Sequence, residues 1–161
     1  MVDNLISVDD FFNSGLPVSD DIRTEEVEFA INSVEKNYIK PVVGSELFAE
    51  LVTDPDSYSY LLDTTPLTNG IRHAECEMVF AILLFDRFRA TRYTTVVKDS
   101  EESSEPSENE IMSVCSMHWE QALQTITDTL LENGLEPTTE IIPSPVFFEL
   151  PFHIYTKKEG R

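Results

Sequence analysis

Two long stretches of helical periodicity, separated by an acidic linker, constrain this chain most. From about Ile71 to about Val97, the residues Ile71, Ala74, Met78, Ala81, Ile82, Phe85 and Phe88 recur at the spacing of one helix face. From Ser107 onward, Ile111, Val114, Cys115, Trp119, Ala122, Leu123, Ile126 and Leu130 do the same, and Asn133-Gly134 supplies a C-terminal cap. The stretch between them, Asp99–Glu110, carries six acidic residues, four serines and Pro106, and reads as a solvated loop. Two such helices bury their apolar faces by packing against each other. Only five glycines occur in 161 residues, which leaves little room for strand-and-turn architecture or a phosphate-cradling loop. The expected fold is all-α: a small helical bundle with two long helices, several short helices and an extended C-terminal arm.

The segments before the long helices fit this picture. Residues 1–23 form an N-terminal lead-in, with a turn at Ser7–Asn13, then Gly15, Pro17 and a Ser19-Asp20-Asp21 loop. Thr24 offers an N-cap hydroxyl ahead of Glu25 and Glu26. Val27, Ala30, Ile31, Val34, Tyr38 and Ile39 then line one helix face up to Pro41, where the helix is expected to end because the residue before proline disfavours the α region. Gly44 marks a turn and Ser45 a cap for a short helix over Glu46–Val52, followed by a helical turn at Tyr58–Leu62. The bundle spans 24–134, and the arm spans 135–161.

That arm is unlike the rest. Pro137, Pro143, Pro145 and Pro151 exclude a helix. Ile141, Ile142, Val146, Phe147, Phe148, Leu150, Phe152, Ile154 and Tyr155 place nine large apolar residues in fifteen. Burying them offers about 22 kcal/mol at roughly 2.5 each. Ordering about seventeen residues costs about 25 kcal/mol, less what the prolines save. Folding back onto its own bundle is therefore marginal, and docking in a groove on a neighbouring subunit is favoured. Ile141, Ile142, Pro143, Val146, Phe147, Phe148, Leu150, Phe152 and Tyr155 are the candidate assembly residues.

Charge and chemistry narrow the function. Thirty acidic against eleven basic residues give a net charge of −19, which opposes binding to nucleic acid or an anionic membrane. It suits a solubilised surface, a conduit that must not grip DNA, or a decoy of DNA. Arg87, Arg89 and Arg92 form the one basic cluster, either complementing the helix dipole or docking on an acidic face of an identical neighbour. His73-x-x-Cys76 and Cys115-x-x-His118 look like metal half-sites. An antiparallel hairpin centred near residue 102 would set Cys115 roughly 20 Å from Cys76, too far for a shared zinc or a disulfide. No nucleophile elbow, phosphate loop, H-E-x-x-H or dinucleotide fingerprint is present, so neither catalysis nor a cofactor is expected. Met1–Asp10 has neither a basic start nor an apolar run, and Met78–Phe85 is far short of a membrane span. Cytosolic synthesis with reduced thiols is the expectation.

The stretch Ala30–Leu51, AINSVEKNYIKPVVGSELFAEL, resembles the opening helix pair of the head-to-tail connector (adaptor) proteins of tailed bacteriophages. In that family a helix ending in a Tyr-Ile-x-Pro-(apolar)₂-Gly turn leads into a short Leu-(Phe/Tyr)-x-x-Leu helix. Tyr38, Ile39, Pro41, Gly44, Leu47, Phe48 and Leu51 occupy those positions, and a long central helix follows. The acidic loop and Phe-rich arm look most like the neck ring proteins of crAss-like phages. The resemblance implies a virion structural protein: a homo-oligomeric ring, commonly of twelve copies, in the virion neck below the portal, assembled in the host cytoplasm. Its partners would be itself, the portal protein and other neck or tail rings. DNA would pass through during packaging and ejection without specific binding. An acidic DNA-mimic inhibitor and a partner-binding regulatory module are the alternatives.

Overall fold

In the computed structural model, which describes residues 4–92 and 107–138 and the side chains of all of these except 87–92, the chain is all-α, with no strand among the described residues. Residues 93–106 and 139–161 lie outside the described residues. Of the acidic stretch Asp99–Glu110, read as a loop, Ser107 is an N-cap and 108–110 are the first helical turn, because the Ser107 and Glu110 side chains cap it.

The scaffold is the pair of long helices, α6 (Gly70–Arg92) and α7 (Glu108–Glu132), packed along their length. Sequence sets both ends of α7. The Ser107 hydroxyl accepts from the Glu110 N–H at 3.2 Å, and the Glu110 carboxylate accepts from the Ser107 N–H at 2.6 Å, a closed capping box. At the other end Gly134 takes φ +73°, so Leu135 N–H reaches the Leu130 carbonyl (2.9 Å) and Gly134 N–H the Leu131 carbonyl (3.1 Å). That is a Schellman termination, whose positive φ favours glycine at this position.

Helix α6 is central. Ile71, Ala74, Glu75, Cys76, Glu77, Met78, Val79, Phe80, Ala81, Leu83 and Phe85 are all buried, and together they reach all sides of its axis. Its neighbours explain this. Against one side lies α7 with Cys115, Trp119, Ala122, Leu123, Ile126 and Leu130. Helix α2 (Thr24–Val34) lies against another, with Val27, Ala30, Ile31 and Val34 at the i, i+3, i+4, i+7 positions of its inner face. The N-terminal segment closes the remaining side. Leu5, Ile6 and, from α1 (Val8–Phe12), Phe11 sit in the same core, so residues that read as a lead-in are part of the packing.

Pro41 does not end the helix begun by α2. The chain passes through one π-helical turn, Glu35–Ile39, and continues as α3 (Lys40–Val43) until Gly44. A proline inside a helix lacks the N–H and presses its ring on the carbonyl four residues back. Here the turn before it is wide: Lys40 N–H bonds to the Glu35 carbonyl, five residues back, and the helix is already opened where the ring must fit. Capping also differs from the sequence expectation at two points. Arg23, not Thr24, is the N-cap of α2, and its N–H bonds to the Glu26 carboxylate at 3.0 Å. Gly44, not Ser45, occupies the N-cap of α4 (Ser45–Thr53). A 3₁₀ turn (Pro55–Tyr58) and α5 (Ser59–Leu62) then lead to α6.

Candidate functional site

The turn singled out by the sequence motif is a built structure. Ile39 and Leu51 are fully buried, while Leu47 and Phe48 are half-buried against the core, with the Lys40 ammonium 5.9 Å from the Phe48 ring centre. Tyr38 meets Trp119 of α7 edge to face, with ring centres 4.6 Å apart and planes at 87°. The motif thus ties the α2–α3 arm of the fold to α7.

Its far end receives the root of the C-terminal arm. The last carbonyls of a helix have no intrahelical partner. Thr138 supplies one: its N–H bonds to the Val42 carbonyl at 2.8 Å, and its hydroxyl bonds to the Pro41 carbonyl at 2.5 Å. Gly44, at φ +97° and ψ 144°, holds a backbone conformation open to glycine almost alone. A Cβ added there would stand 2.9 Å from the Thr138 methyl carbon. The Pro-x-x-Gly turn is therefore a socket, and Thr138 its plug. Since Leu135 is fixed by the α7 termination, Leu135–Thr138 is held at both ends.

The proposed arm residues, Ile141, Ile142, Pro143, Val146, Phe147, Phe148, Leu150, Phe152 and Tyr155, lie outside the described residues. Arg87, Arg89 and Arg92 fall in the last turns of α6, with side chains outside the description.

The two His/Cys pairs are not brought together. Phe80 of α6 stacks edge to face on His118 of α7, ring centres 5.0 Å apart, so the hairpin register sets Cys115 opposite about residue 83. That is closer than the expected register, yet still roughly 10 Å of helix from Cys76. Both thiols are buried and free, and burial pushes each up to about 12. His73 instead pairs within its own helix, Nε2 to Glu77 Oε1 at 3.4 Å. Among the described residues no group of three or more His, Cys, Asp or Glu side chains is placed to hold a metal ion. Nor, among them, is any helix long and apolar enough to cross a membrane.

Sequence reasoning passed over a buried acid pair. Glu75 of α6 is fully buried, and Glu35, the first residue of the π turn, is 5% exposed. Burial raises the proton affinity of both, that of Glu75 strongly, and the Glu35 charge beside Glu75 adds to it. The signal was present: Ile31-Glu35-Ile39 and Ile71-Glu75-Val79 each set a glutamate between apolar residues on one i, i+4 row.

Comparison with protein families, with curated proteins and with solved structures finds no match to this chain. Its class therefore rests on the fold itself: an all-α bundle in which Thr138 fills the Pro-x-x-Gly turn.

Proposed function

We propose that this chain is a structural subunit that assembles with copies of itself through its C-terminal arm. It would form a ring of the head-to-tail connector kind, joining portal and tail around a DNA channel. The observation that carries this reading is the plugging of the motif turn by Thr138. The chain is anchored to the bundle at Thr138, directly ahead of the segment that carries the nine apolar residues. An apolar segment held at its root loses less freedom on docking than an untethered one, and a groove on a neighbouring subunit completes its burial. The charge of −19 supports the channel reading, since a wall that attracted phosphates would retard moving DNA. The resemblance of Tyr38–Leu51 to the connector turn points the same way.

Mass photometry of the full chain, alone and mixed with a portal ring, tests the proposal. Higher oligomers, or recruitment to the portal, are expected, and removing residues 139–161 should abolish them while circular dichroism keeps its helical signature. A strictly monomeric chain that displaces duplex DNA from a DNA-binding enzyme would instead identify a DNA mimic.

A further inference from the structure

Glu75 is the group in the bundle with the fewest options. It is fully buried, and no N–H or hydroxyl donor reaches either of its carboxylate oxygens. Its polar neighbour is the carboxyl group of Glu35. Glu35 accepts the Leu5 N–H at 2.6 Å, so negative charge is stabilised there. Two ionised carboxylates offer each other only acceptors, and they fit side by side when one of them carries a proton and donates it. Between the two, Glu75 is the more deeply buried and has no other donor, so the proton belongs on Glu75 and the charge on Glu35.

We infer that Glu35 and Glu75 share a single proton in the folded protein, and that this proton keeps the segment from Leu5 to Phe12 on the bundle. The inference is independent of the assembly proposal. Leu5 is held at both of its main-chain polar groups: its N–H on Glu35, and its carbonyl by Arg72 Nε at 3.1 Å. Arg72 also bridges to Asp63, after α5, at 3.2 Å. The buried side chains of Leu5, Ile6 and Phe11 complete the seat. Around Glu75 stand Glu35 from the π turn, Asp10 from α1 and Arg72 on its own helix, and the adjacent Cys76 feels Glu75, Asp10 and Glu77. Asp10 adds a second negative charge and rides on the segment in question. Arg72, the cation of the cluster, is already engaged by Leu5 and Asp63.

Loss of the proton breaks the Glu75 O–H bond and passes the proton to water, leaving two buried carboxylates and no donor for one of them. Lifting residues 5–12 relieves this, because it admits water to both groups and removes Asp10. The sign follows. The closed form holds a proton that the opened form gives up above the ordinary carboxylate value of 4.5. Attachment of the segment is therefore strongest in acid, weakens as pH rises above that value, and levels off once Glu75 has ionised in the closed form.

Hydrogen–deuterium exchange of the full chain across about pH 5 to about pH 8, corrected for intrinsic rates, tests this. In the native protein, protection of residues 5–12 should fall by roughly tenfold per pH unit, the slope that one proton gives, until it levels off. In Glu75→Gln, whose amide donates to Glu35 as the protonated acid does, protection should stay high and flat. Equal pH slopes in the two proteins would overturn the inference. Infrared spectroscopy of the unmodified chain needs no variant: the carbonyl band of a protonated carboxylic acid should persist at neutral pH and vanish in alkali, and its absence at neutral pH would also overturn it.

Discussion

The N–H of Thr138 bonds to the carbonyl of Val42 at 2.8 Å, joining two residues that lie 96 positions apart in the chain. The bond closes the structure in a specific sense. It caps the helix that contains the motif proline, and it fixes where the C-terminal arm begins. A helix end that needs a partner and an arm that needs a root satisfy each other.

Gly44 is the test of that socket. Its φ of +97° strains any side chain, and an added Cβ would meet the Thr138 methyl carbon at 2.9 Å. Gly44→Ala should cost about 1–3 kcal/mol in urea denaturation, from backbone strain plus the collision. Thr138→Ser keeps the hydroxyl and removes the methyl group. The double variant should recover the collision part alone, so the two changes should be non-additive. Strict additivity would show that Thr138 does not sit against the turn.

Helix α7 was legible because its ends are local: Ser107 and Glu110 lie one turn apart, and Asn133-Gly134 comes two residues after the last apolar residue, Leu131. The inner face of α2 was legible for the same reason. Pro41 misled because its usual effect was absorbed by a π turn, and nothing in Glu35–Ile39 announces one. Thr138 was illegible in principle, since its partners are backbone carbonyls nearly a hundred residues away. Leu5, Ile6 and Phe11 were underweighted because Leu5 and Ile6 precede α1 and its five residues span little more than one helical turn, too short for a repeat to stand out. The glutamates at positions 35 and 75 were readable from their apolar i, i+4 neighbours, but the many acids elsewhere masked them.

Trp119 should report on the whole bundle. It is the single tryptophan and fully buried, with Tyr38 against its ring. Native emission should be blue-shifted and should move red in one step with the loss of helical signal on unfolding. Trp119→Ala should cost about 3–5 kcal/mol, and Trp119→Phe clearly less, because an aromatic edge remains against Tyr38. A red native emission maximum would contradict the burial.

The cysteines should be inert in the folded state. Both are buried, and their thiols are pushed up to about 12, so little thiolate exists at neutral pH. Alkylation by iodoacetamide at neutral pH should be at least about a hundredfold slower in buffer than in denaturing urea. Mild oxidation should give no intramolecular disulfide, because Cys76 and Cys115 occupy different levels of the hairpin. Rapid native labelling of either would show that the α6–α7 seam opens easily.

Phe11 and Phe12 are adjacent and touch, ring centres 5.8 Å apart, yet they should behave oppositely on truncation. Phe11 is fully buried between the N-terminal segment and the bundle, whereas Phe12 is 39% exposed at the end of α1. Phe11→Ala removes a ring from a packed site and leaves a cavity that five helical residues cannot close, at a cost of about 3–5 kcal/mol. Phe12→Ala loses a partly hydrated contact and should cost under about 1 kcal/mol. Thermal or urea melts of the two variants give the contrast directly. Similar small losses from both would mean that residues 4–12 are a detachable lead-in. A large loss at Phe11 alone would place them inside the folding unit, with Leu5 and Ile6, over the buried pair Glu35 and Glu75.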